Sequence, residues 1–73
     1  MKDATSLQLL LVEPDAQTAE RVRQTLSSHF PAACVRHCST VAQTLALDPA
    51  GIDLVLSDMT LPDGTGLDLL DRL

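Results

Sequence analysis

Apolar residues fall into three short runs, separated by stretches in which they recur every three or four positions. The first run, Leu7-Gln8-Leu9-Leu10-Leu11-Val12, is stopped by Glu13-Pro14-Asp15. Six nearly all-apolar residues fit a strand buried on both faces, and the proline behind them decides against a helix. Next, Ala16, Ala19, Val22, Leu26 and Phe30 make one apolar stripe at helical spacing. Asp15 is placed to cap this helix, and Pro31 ends it. Ala32 to Cys38 reads as a second strand, less buried than the first.

Thr40-Val41-Ala42-Gln43 matches a capping box, with a hydroxyl at the N-cap and Gln at the fourth position. Val41, Ala42 and Leu45 give that short helix its expected buried face, and Asp48-Pro49-Ala50-Gly51 is a turn cluster that stops it. The third strand is Ile52 to Ser57, ending at Asp58. A loop rich in Pro and Gly, Met59 to Gly66, leads to a third helix near Leu67, with Leu67, Leu70 and Leu73 expected inward. Strand and helix thus alternate three times. This predicts an α/β fold with a parallel sheet and right-handed crossovers.

Composition narrows the picture. The chain has 73 residues, enough for one small domain with a modest core. Phe30 is its only aromatic residue, so the core must be aliphatic. A net charge of −5 argues against direct contact with nucleic acid, which needs a basic footprint, and against an anionic membrane surface. No segment reads as a signal peptide or membrane span. Cys34 and Cys38, four residues apart on one extended strand, are separated by roughly 13 Å. A disulfide tolerates about 7 Å. Both are therefore read as reduced thiols of a cytoplasmic protein. A metal pair with His29 or His37 is the weaker alternative, because no second cysteine pair accompanies them.

The chemistry concentrates at the strand ends. With a strand order of 2-1-3, the first and third strands are neighbours, and their carboxyl ends bring Glu13, Asp15 and Asp58 to one edge, where open α/β sheets bind ligands. Three converging carboxylates repel, and a divalent cation with hard oxygen ligands such as Mg²⁺ relieves the repulsion. A carboxylate beside such a cation can attack a phosphoryl group. The plainer reading is that acids at strand ends only cap helices and form turns. Asp53 and Asp63 read as solvated turn residues, and Asp68 and Asp71 as helix-surface charges.

The segment Asp53-Leu54-Val55-Leu56-Ser57-Asp58-Met59-Thr60-Leu61-Pro62-Asp63-Gly64-Thr65-Gly66-Leu67-Asp68-Leu69-Leu70 resembles the phosphoacceptor segment of response-regulator receiver domains. Leu9 to Asp15 is similar to that family's first strand and acidic pocket. The resemblance runs from about Leu7 to Leu73, leaving residues 1–6 as an N-terminal extension. It implies a flavodoxin-like, doubly wound sheet and a role in two-component phosphorelay signalling. Asp58 would be the phosphoacceptor, supplied by a sensor histidine kinase or a phosphotransfer protein. Mg²⁺ would be held by Asp58, Glu13 and the backbone carbonyl of Thr60.

Two departures follow. The family's second pocket acid, a direct metal ligand, is here Pro14, so Mg²⁺ binding is expected to be weakened or lost, with Asp15 as the only nearby substitute. The family also runs to about 110 to 130 residues, the usual size of one domain. The fourth and fifth strands, with the Ser or Thr and the Lys that read the phosphoryl group, are outside this sequence. An uncovered sheet edge makes homodimerisation an expectation. A pseudo-receiver that works by protein contact, without phosphorylation, is the alternative. No enzyme of independent activity is expected, since no Gly-rich phosphate loop or nucleophile–base pair is present.

Overall fold

A computed structural model of the chain describes residues 7–72. The expected N-terminal extension and Leu73 lie outside the described residues. The strongest apolar run becomes the central strand. β1 (Gln8–Val12) pairs in parallel with β2 (Cys34–Cys38) on one side and β3 (Leu54–Ser57) on the other, giving the order β2-β1-β3. Leu10 stands opposite Arg36 and Val55, and Val12 opposite Cys38 and Ser57. A strand paired on both sides and covered on both faces must be apolar throughout, and Leu9 to Val12 are all buried.

Alternation along β1 feeds two layers. Leu10 and Val12 join Cys38, Val41, Leu61 and Leu69 in the main core, flanked by Leu45, Leu47, Ile52 and Val55. Leu9 and Leu11 point to the opposite face, where α1 (Ala16–His29) lies over β1 and β2 and buries Ala19. α2 (Val41–Leu45) and α3 (Gly66–Arg72) pack against each other beside the main core. A three-residue 3₁₀ turn, Pro49–Gly51, leads into β3. Helices on both faces of a parallel sheet make this a doubly wound α/β unit.

Several side chains depart from the sequence pattern. α1 buries Ala19 and half-buries Val22 and Leu26, but Ala16 is exposed. Phe30 is 54 % exposed because it lies past the helix end, where its N–H closes the last turn on the Leu26 carbonyl. α2 buries Val41 and Thr44 and exposes Ala42. The Thr44 hydroxyl can be buried because it donates to the Thr40 carbonyl. β3 is not a buried strand. Leu54 and Leu56 share the α1 face of the sheet, α1 sits over the other two strands, and Leu54 is 48 % exposed. In α3 the inward residue is Leu69, while Leu67 and Leu70 face outward, Leu70 at 74 % exposure. Leu67, Leu69, Leu70, Met59 and Val55 line an apolar groove of about 350 Å³ beside β3.

The loop after β3 is also more ordered than its Pro-Gly content suggested. β4 (Thr60–Leu61) and β5 (Gly64–Thr65) form a small antiparallel hairpin. Thr65 and Asp68 then cap α3 reciprocally, so Asp68 is not merely a surface charge: the Asp68 N–H donates to Thr65 Oγ1, and the Thr65 N–H to Asp68 Oδ2. Asp53 accepts from the Gln8 N–H at 2.7 Å and so ties β3 to the start of β1.

Asp63 corrects the reading most. Its two carboxylate oxygens accept from the N–H groups of Val41 and Ala42, at 2.7 and 3.0 Å, capping α2 from 21 and 22 residues away. The same bonds hold its carboxyl below the usual aspartate range, the Val41 amide contributing most. A depressed folded value means that this stabilisation is complete above the unfolded value, about 3.9, and disappears as pH falls through the folded one. Asp63→Ala is expected to lower the urea midpoint at neutral pH, with the gap to wild type closing in acid. A gap of constant size down to the acid limit would show that the charge has no part in it.

Candidate functional site at the carboxyl ends of β1 and β3

Asp58 follows β3, and its backbone extends the sheet by one more bond. Its N–H donates to the Val12 carbonyl at 2.9 Å, which pins Asp58 beside the end of β1. The side chain is exposed, and its Oδ1 accepts from the Met59 N–H at 3.0 Å. The Ser57 hydroxyl donates to the Asp58 carbonyl at 2.9 Å. Behind this turn stands Gly66, whose N–H donates to the Met59 carbonyl. A Cβ on Gly66 would lie 2.9 Å from the Asp58 carbonyl oxygen and 3.4 Å from Ser57 Oγ. Glycine is therefore required there for the hairpin to fold back against Asp58.

The opposing lip is the turn between β1 and α1. The Glu13 N–H donates to the Cys38 carbonyl, continuing the β1–β2 ladder. Glu13 Oε2 accepts from the Asp15 N–H at 3.1 Å. Asp15 Oδ2 accepts from both the N–H and the hydroxyl of Thr18. These bonds, the Thr18 hydroxyl first, hold the Asp15 carboxyl below its usual range. Asp15 is thus the helix cap expected of it. Pro14 lies between the two acids and brings no side-chain oxygen. Thr60 is exposed at the start of the hairpin, two residues past Asp58.

Strand order therefore brings the carriers of Glu13, Asp15 and Asp58 to one sheet edge. It does not gather their carboxylates into a cation cage: among the described residues, no three His, Cys, Asp or Glu side chains stand together as a metal-holding group. Glu13 and Asp15 serve backbone N–H groups instead. His37 went unremarked in the sequence as part of this lip. Its Nε2 stands 2.8 Å from the Glu13 carbonyl oxygen, and no local spacing signals a contact across 24 residues.

No protein-family model matches the chain, and no curated protein matches it. Among solved structures it is similar to the non-phosphorylated HemR receiver domain from Leptospira biflexa, with a TM-score of 0.77 and 31 % sequence identity. The likeness covers 90 % of this chain. The chain is a receiver-domain fragment. It spans about half of that structure, 52 % of its length. The β2-β1-β3 order, with helices on both faces, agrees with a receiver sheet over that span. Receiver domains are modules of two-component signalling, the class that the resemblance of the Asp53–Leu70 segment indicated. Within the receiver fragment, no helix among the described residues is long and apolar enough to cross a membrane. Cys34 and Cys38 are both free thiols.

Proposed function

We propose that this receiver module accepts a phosphoryl group on Asp58 from a sensor histidine kinase or a phosphotransfer protein, in the cytoplasm. The observation that carries the reading is the bond from the Asp58 N–H to the Val12 carbonyl, which sets an exposed carboxylate at the edge between β1 and β3. In the transfer, an Asp58 carboxylate oxygen forms a bond to phosphorus while the P–N bond to the donor's imidazole breaks, and the imidazole nitrogen takes up a proton. Mg²⁺ affinity in this reading is weak or lost, because Pro14 lacks a ligand and Glu13 and Asp15 are engaged. Incubation with acetyl phosphate, followed by intact-mass measurement, tests it. The reading requires an adduct in wild type and none in Asp58→Asn.

The engaged lip acids favour a second reading, a pseudo-receiver that binds a protein without being phosphorylated. The exposed apolar groove by α3 and the open margin of β3 then carry the contact, with a second copy of the chain as one partner. Light scattering distinguishes this form. It expects a dimer that Leu67→Glu and Leu70→Glu together disperse, and a concentrated wild-type monomer would remove the self-association.

A further inference from the structure

We infer that His37 is the positioning residue of the β1–α1 lip, holding Glu13 in the arrangement in which its carboxylate caps Asp15. In a parallel ladder the Glu13 carbonyl points to the same side as its N–H, toward β2. That N–H finds the Cys38 carbonyl, but β2 ends at Cys38, and the backbone turns away into the α2 cap at Thr40. The carbonyl is thus directed at a place where the strand supplies no further N–H. The His37 ring fills this place, with Nε2 at 2.8 Å. Since a carbonyl oxygen only accepts, Nε2 carries the proton. The exposed ring lines a shallow cleft together with Ala16, Ala19, Glu20 and Arg23 of α1.

The consequence runs along the turn. Pro14 has no N–H to offer, so the Glu13–Pro14 peptide has few ways to be held. With the Glu13 backbone fixed from β2 by two bonds, its side chain curls over the proline to the Asp15 N–H. Asp15 in turn caps α1 at Thr18. His37 therefore acts on the lip facing Asp58 through the main chain, without touching Asp58.

The geometry of the contact supplies its own control. Glutamine can place an amide N–H near the position of histidine Nε2, whereas asparagine mimics Nδ1 and falls short, and leucine offers no donor. Water-exchange NMR on the full chain should show the Asp15 amide exchanging roughly three- to tenfold faster in His37→Leu and His37→Asn, as for loss of one hydrogen bond. His37→Gln should restore the wild-type rate, and the Phe30 amide, bonded to the Leu26 carbonyl at the far end of α1, should not change in any variant. An unchanged Asp15 rate in His37→Leu overturns the inference, and so does a Gln variant that behaves like Leu. The bearing on Asp58 rests on the phosphoacceptor reading and is measured apart from it, by the rate of adduct formation with acetyl phosphate. If wild type forms no adduct while the amide pattern holds, the phosphoacceptor reading fails and the positioning role of His37 stands.

Discussion

Asp58→Asn is expected to abolish phosphoryl transfer to the chain while leaving the fold intact. The two side chains have nearly the same shape, and the amide oxygen can still accept from the Met59 N–H as Asp58 Oδ1 does. The backbone bond to Val12 is untouched by the substitution. What disappears is the anionic oxygen that attacks phosphorus, because a neutral amide is a poor nucleophile. The mass shift seen with acetyl phosphate in wild type should therefore be absent, not merely reduced, and the urea midpoint should hardly move. Asp63→Asn is the matching control, since Asp63 faces α2 and should leave the adduct in place. An adduct that survives Asp58→Asn would place the acceptor elsewhere.

Leu10→Ala is expected to cost about 2–5 kcal/mol, the range for removing a large aliphatic side chain from a packed core. Leu10 has no exposed surface, occupies the middle of β1 and contributes to the main core cluster. At about 0.05–0.15 kcal/mol per residue, a chain of this size has a total stability of roughly 4–11 kcal/mol. The loss is therefore a large part of the whole, and a substantial fraction of the variant should be unfolded without denaturant. Leu70→Ala, at an exposed position of α3, should stay within about 0.5 kcal/mol of wild type. Urea unfolding followed by circular dichroism at equal concentrations makes the comparison. Similar losses for the two would contradict the central place of β1.

The parts of the fold legible in the sequence are those written in local pattern. The run Leu9 to Val12 announced a strand buried on both faces, and Thr40 and Asp15 announced helix starts, because strand burial and capping act over a few residues. The facing of α3 was not legible. At about 3.6 residues per turn Leu67 and Leu70 share one side and Leu69 lies roughly 100° or more from both, so nothing local tells which side turns inward. The exposure of β3 was hidden too, since Leu54 and Leu56 are as apolar as their neighbours and only the placement of α1 leaves them open. At the site, the position of Asp58 could be read from the strand before it and the Pro-Gly loop behind it. The engagement of Glu13 and Asp15 could not, because the same acids suit a cation or a backbone cap. The roles of Asp63 and His37 are contacts across 21 or more residues and leave no trace in spacing.

The clamp of Asp63 on α2 bears on the order in which the chain can settle as it is made. A helix of five residues is far below the length that stands alone in water. Synthesised from the N-terminus, the segment of α2 emerges well before Asp63 exists. Until then its first-turn N–H groups rely on Thr40 and on water. The segment must wait as an unformed connection between β2 and β3, and it becomes helical when the hairpin after β3 arrives. Protection of the α2 amides during refolding is therefore expected to arise with the docking of β3 and its hairpin, and not before it.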